Sequence, residues 1–172
     1  RRIVLVGLKE EKRLEVYAED NNRVLTWLRD FPVVRASGQA GPKLREGDLQ
    51  VPEGFYRVES LNPNSRFHLA LRVNYPNDFD REQATREGRD NLGGDIMIHG
   101  GAASVGCLAM GDEAIEELFV LAAESGYENI EVILSPLGFR VSSEYSKDNF
   151  EPWVRDLHQK IAARLRELPQ KM

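Results

Sequence analysis

Apolar residues come in short bursts through the first half of the chain. "IVLVGL" (Ile3–Leu8) is a continuous run, and "RLEVYAED" alternates through Leu14, Val16 and Ala18. Asp20-Asn21-Asn22 then supplies turn chemistry before "RVLTWLRDFPVV" resumes an extended pattern, so this opening stretch predicts antiparallel hairpins. Gly and Pro punctuate Ser37–Gly54, a loop that closes on the Pro52-Glu53-Gly54 turn signal. "FYRVESL" and "FHLALRV" follow as two further strands about an Asn62-Pro63-Asn64-Ser65 turn. From Asn74 to Gly94 the chain is polar and charged, with no sustained apolar period. That stretch predicts a long loop, either a lid or binding loop or a solvated excursion.

The period changes in the second half. "IMIH" (Ile96–His99) is a buried-looking strand, and "NIEVILSPL" alternates through Ile130, Val132 and Leu134 as another. Between them, about Asp112 to Ser125, Ile115, Leu118, Phe119 and Ala122 share one helix face, with acids in the first turn and Gly126 as C-cap. Trp153, Leu157, Ile161, Leu165 and Leu168 form a stripe at helical spacing behind Pro152, a core-packing face over about 150–168. The pattern as a whole predicts a β-rich mixed α/β domain with its helices in the second half.

The chain's 172 residues, 41% of them apolar, suit a single domain over 1–172. A net charge of −5, no run of five like charges and no aromatic-rich basic stripe argue against nucleic acid as a partner. No apolar run approaches the roughly 20 residues of a membrane span. The chain opens on Arg1-Arg2-Ile3 rather than Met, as a processed or trimmed product would, and no signal segment is visible. One cysteine leaves no internal disulfide and no multi-thiolate zinc site.

That cysteine, Cys107, is either a small buried hydrophobe or a reactive group. Its surroundings, "IMIHGGAASVGCLAMGDEAIEELF", leave both readings open: a thiol packed in the core with His99 hydrogen-bonded to a carbonyl, or a catalytic couple. His99 ends a strand eight residues earlier, and a short Gly-containing loop can fold its imidazole back to the sulfur as a base. The helix that starts a few residues later would also favour a thiolate. Gly106 lets the backbone turn sharply, so that the N–H groups of Val105, Gly106 and Cys107 could converge on a developing oxyanion. Strand, histidine, Gly-rich loop, cysteine and helix make a coherent nucleophile arrangement. His68, alternating with Phe67 and Leu69, faces either the same cleft or a plain sheet surface. His158 lies off the apolar stripe among Arg155, Asp156 and Lys160 and reads as solvated. No ligand spacing supports a metal site from His68, His99 and Cys107.

"HGGAASVGCLAM" resembles the active-site segment of the L,D-transpeptidase (YkuD or ErfK) family. The longer "LRVNYPNDFDR…IMIHGGAASVGCLAMGDEAIEELFVLA" is similar to its YafK-like branch. Pro52-Glu53-Gly54-Phe55-Tyr56 is similar to the family's Thr-Pro-x-Gly-x-Phe/Tyr segment, and the resemblance covers about 3–137, with the C-terminal helix appended. It implies a YkuD-like antiparallel β-sandwich core with a helix after the cysteine. Carried over by position, Cys107 is the nucleophile, His99 the general base and acid, and the backbone carbonyl of Gly100 the group that orients the imidazole. Ser104, Val105 and Gly106 match the box before the cysteine. Val105 stands where the common box has a second histidine and Ala109 where it has Arg or Asn, as in the YafK-like branch.

The resemblance further implies acyl transfer on meso-diaminopimelate-containing peptidoglycan stem peptides through a Cys107 thioester. No cofactor or metal is implied. It also implies a cell-envelope, periplasmic location and a role in cell-wall biogenesis and cell shape. An amine acceptor gives a cross-link or protein attachment. Water gives hydrolysis, as in an amidase that releases a wall-attached lipoprotein. His68, Arg72, Tyr75, Arg81 and Ser104 are the candidate substrate contacts, weighed against structural or solvated roles. The competing expectation is a non-catalytic wall-binding domain, which would have no need of a base beside a thiol.

Overall fold

Strand β1 (Ile3–Leu8) runs as unbroken apolar sequence because both its faces are covered. It pairs antiparallel with β2 (Arg13–Glu19) and parallel with β9 (Ile130–Ser135). Ile3 and Leu5 join one hydrophobic cluster, while Val4, Val6 and Leu8 join another on the opposite face. The computed structural model describes residues 1–140 and 149–170. In chain order the remaining strands are β3 (Leu25–Pro32), β4 (Arg35–Ala36), β5 (Gly54–Ser65), β6 (His68–Val73), β7 (Met97–His99) and β8 (Leu108–Ala109). The helices are α1 (Asp78–Arg86), α2 (Asp112–Ser125) and α3 (Pro152–Glu167).

The strands form one nine-stranded sheet in the order β3-β2-β1-β9-β5-β6-β7-β8-β4. The family resemblance implies an antiparallel sandwich core. The sheet is instead mixed, with β1/β9 and β7/β8 parallel, and it is continuous through β5. The length of β5 explains the continuity. Its first residues, Gly54–Arg57, pair with β9, and the register with β6 then slips at Val58/Ser60 and again at Asn62/Ser65. Bulges of this kind bend a strand and let one sheet curl on itself. They also correct the expected turn at Asn62–Ser65. Pro63 is absorbed at a register break, where a missing N–H is tolerated, and the chain reverses at Arg66-Phe67 instead.

The polar stretch expected to be a loop contains α1. Its signal was the capping box, in which Asn77 Oδ1 accepts the Asp80 N–H at 2.9 Å and the Asn77 N–H donates to Asp80 Oδ2 at 3.0 Å. The helix buries Gln83 and Ala84, so no apolar stripe announces it. The C-terminal stripe behaves as read, with Leu157, Ile161, Leu165 and Leu168 packed on Val4, Val6, Leu8 and Ile133 of β1 and β9.

His158, read as solvated, is buried. Its Nε2 lies 2.6 Å from Glu53 Oε2. Glu53 Oε1 accepts from Lys9 Nζ at 3.1 Å and from the Gly41 N–H at 2.7 Å, and Lys9 Nζ also donates to the Gly41 and Val51 carbonyls at 2.8 Å each. Burial pushes the Glu53 carboxyl up, but His158, Lys9 and the Gly41 amide together outweigh it and hold the group below the usual carboxylate range.

Removing the carboxylate would leave Lys9 and His158 facing each other in the interior. Glu53→Gln is therefore expected to lose about 3–5 kcal/mol in a denaturant titration; a loss under about 1 kcal/mol, the scale of an exposed pair, contradicts a structural role for the pair. Because the folded pKa lies below the ordinary 4.5, the carboxylate's contribution is complete above that pH and disappears as the pH falls through the lower folded value.

Candidate active site

β7 carries His99 at its end, and β8 begins one residue after Cys107. The parallel pairing Ile98↔Leu108 and His99↔Ala109 sets the two segments side by side, so Cys107 comes alongside Met97, two residues before His99 on the next strand. The histidine is tightly held. Its Nδ1 lies 2.6 Å from the Gly100 carbonyl oxygen, to which it donates, which leaves Nε2 as the ring's free acceptor. The Phe67 ring stacks on the imidazole with centroids 4.5 Å apart and planes at 25°.

Gly100 allows this arrangement because it has no Cβ. An added Cβ would sit 2.5 Å from the Phe67 carbonyl oxygen, 2.8 Å from Asp112 Oδ1 and 3.0 Å from Ile115 Cγ2. The same Asp112 side chain, in the first turn of α2, accepts the Gly101 N–H at 2.9 Å. The acidic start of α2 therefore anchors the loop after His99.

Cys107 is 8% exposed and His99 only 2%, so both side chains are buried, while Val105 and Phe67 are exposed. The sulfur donates to the Asp95 carbonyl at 3.5 Å. Burial pushes the thiol up, with the Asp95 carboxylate adding to it, against the Met97 backbone hydrogen bond and the charge of Lys43. Burial likewise pushes His99 down, against the Gly100 carbonyl. The sequence led us to expect a base and a helix terminus that stabilise a thiolate. Burial acts the other way, holding the thiol above and the imidazole below their ordinary ranges against the local dipoles.

The box before the cysteine is held by hydroxyls. Ser104 Oγ donates to the Cys107 carbonyl at 2.6 Å, and Ser37 Oγ accepts the Gly106 N–H at 2.6 Å. The Gly106 amide expected as an oxyanion donor is thus already engaged by Ser37. Gly106 itself has φ +80°, a left-handed conformation that favours glycine.

The other sequence candidates divide. Arg72 pairs with Glu59 at 3.1 Å and with Asp95 Oδ1 at 2.8 Å, and so reaches the residue whose carbonyl accepts the thiol's hydrogen bond. Asp95 has a left-handed φ of 54°. His68 is exposed, with Nε2 2.7 Å from Glu116. Tyr75 is a buried structural residue whose hydroxyl reaches the Leu92 and Lys43 carbonyls at 3.0 and 3.3 Å. Arg81 projects from α1 beside Asp78 at 3.5 Å. Ser37, Phe67 and Asp95 escaped the sequence reading, since nothing local marks them as neighbours of the cysteine. Among the described residues, no three His, Cys, Asp or Glu side chains gather where a metal could sit, and no helix is long and apolar enough to cross a membrane.

The L,D-transpeptidase catalytic domain matches residues 1–132 of the chain. The Escherichia coli (strain K12) protein named "Putative L,D-transpeptidase YafK" is 34% identical over 144 residues, covering 81% of this chain and 55% of that protein. The corresponding Escherichia coli O157:H7 protein gives the same figures. The chain thus spans little more than half the length of these relatives. Among solved structures, the helical cell shape determining protein Pgp2 from Campylobacter jejuni (K307A mutant) superposes with a TM-score of 0.63 at 21% identity, covering 96% of this chain and 54% of that one. Bdellovibrio bacteriovorus Bd1075 superposes with a TM-score of 0.53 at 21% identity, covering 96% and 55%. At these identities the superpositions bear on the fold alone.

Two measurements check the site. Iodoacetamide alkylation of Cys107 is expected to rise through a pH midpoint above the ordinary thiol value of 9.0; a midpoint below the free-cysteine value of about 8.5 contradicts a desolvated neutral thiol. Gly100→Ala is expected to lower stability by about 1–3 kcal/mol through overpacking against Phe67 and Asp112, and an unchanged unfolding midpoint would show that the close approach is not needed.

Proposed function

Since the chain belongs to the L,D-transpeptidase catalytic-domain family, we propose that it is a cysteine acyl transferase acting on meso-diaminopimelate-containing peptidoglycan stem peptides, with Cys107 as nucleophile and His99 as base. One observation carries the assignment: the Nδ1–H of His99 is committed to the Gly100 carbonyl, so Nε2 is the acceptor on a strand paired with the one that Cys107 leads into.

A neutral pair can do this chemistry when the proton leaves as the bond forms. The Cys107 sulfur attacks the carbonyl at the L-centre of diaminopimelate, and its proton passes to His99 Nε2. The charge on the carbonyl oxygen is met by backbone amides, those of Cys107 and Val105 in first place because Ser37 holds that of Gly106. Collapse expels the amine, which takes the proton back from His99, and a thioester remains. An incoming amine then attacks the thioester, His99 removing its proton, and the thiol is regenerated. Action on peptidoglycan would place the protein in the cell envelope.

Defined muropeptides, incubated with wild type and Cys107→Ala with and without an amine acceptor, test this by product mass. A thioester adduct and a new amide are expected with wild type, and neither with Cys107→Ala. His99→Ala is expected to slow turnover by about 10²–10⁴-fold. Products that gain only water would make the protein a hydrolase, including one that releases a wall-attached lipoprotein. Identical mixtures with and without Cys107 would favour a wall-binding domain.

A further inference from the structure

Three consecutive peptide groups around the nucleophile are not equally free. The first, between Val105 and Gly106, is fixed by its N–H, which donates to Ser37 Oγ at 2.6 Å. The third, between Cys107 and Leu108, is fixed by its carbonyl, which accepts from Ser104 Oγ at 2.6 Å. Between them lies the peptide whose N–H is the Cys107 amide. Its direction depends on ψ of Gly106 and φ of Cys107, and Gly106 is a residue on which a peptide group can turn over at little steric cost. Pinning both neighbours is what holds it.

The two serines also hold each other. The Ser37 N–H donates to Ser104 Oγ at 3.0 Å, and Ser37 Oγ donates its one proton to the Leu49 carbonyl at 2.8 Å. With that proton used, Ser37 Oγ faces the Gly106 amide purely as an acceptor. The Ser37–Gln50 loop is thereby tied to the cysteine box, and an added Cβ on Gly106 would lie 3.1 Å from the Gln50 carbonyl oxygen.

We propose that Ser37 is a positioning residue for acyl transfer, holding the Cys107 amide toward the oxygen of the tetrahedral intermediate through the Gly106 peptide it clasps. The proposal rests on the acyl-transfer chemistry above and adds to it a residue some 70 positions away in the chain. Ser37 touches no reacting atom. Its effect is on the oxyanion, so it should matter for attack on a carbonyl and not for attack on a saturated carbon.

That distinction supplies the test. With 4-nitrophenyl acetate, the Cys107 sulfur attacks the ester carbonyl, expels 4-nitrophenolate and becomes an acetyl thioester, so a burst of nitrophenolate reads acylation without any muropeptide. With iodoacetamide, the same sulfur displaces iodide from a CH2 group and no oxyanion forms. Ser37→Ala is expected to slow the burst by about 10- to 100-fold while leaving the alkylation rate at alkaline pH unchanged, and Ser37→Thr, which keeps the hydroxyl, should restore most of the burst rate.

A Ser37→Ala protein with a wild-type burst overturns the proposal. Equal losses in burst and alkylation overturn it too, since Ser37 would then be shaping the thiol or the fold. A wild type that is alkylated but gives no burst removes the oxyanion site altogether. If muropeptides are not turned over while the burst contrast holds, the substrate assigned above fails and the role of Ser37 stands.

Discussion

A glycine beside a histidine is the constraint on which the rest of this site depends. Gly100 lies so close to the Phe67 backbone and to the first turn of α2 that no side chain fits there. Because it is bare, its carbonyl can take the His99 Nδ1–H, Phe67 can lie across the ring, and α2 can hold the following amide through Asp112. Ring tautomer, ring orientation and loop direction all follow from one missing methyl group. The parallel pairing of β7 with β8 then delivers the sulfur to the neighbouring strand.

The electrostatics of the pair follow from the same close packing. A site so well covered disfavours charge on either partner, and the two groups move in opposite directions, the thiol up and the imidazole down. The thiol donates a hydrogen bond to the Asp95 carbonyl, and the Asp95 side chain is itself held by Arg72. For the acyl transfer proposed above, proton movement and bond formation would then go together, with the demand falling on backbone amides.

How much of this could be read from sequence depends on distance along the chain. The contact between His99 and the Gly100 carbonyl is legible because the family pattern places the two together. β1, β2, β9, α2 and α3 are legible because their apolar periods are strong. Ser37, Phe67 and Asp95 act through backbone and hydroxyl contacts that leave no compositional trace. His158 was misread because its neighbours on the helix are charged, while the partner that buries it, Glu53, is 105 residues earlier. Helix α1 was missed because its inward face is Gln83 and Ala84 rather than a stripe of large apolar residues. The sheet's mixed pairing depends on the bulges in β5, which a strand pattern of period two does not record.

The contact between His158 and Glu53 changes where this protein can be cut. The family match ends at 132, yet α3, beyond it, covers one face of β1 and β9 and carries the imidazole that faces the Glu53 carboxylate. A fragment trimmed to the family boundary would uncover that apolar face and strand a carboxylate and an ammonium in a half-open interior. Expression boundaries drawn from the family match alone would therefore fall inside the core, whereas the solved structures this chain resembles cover 96% of it.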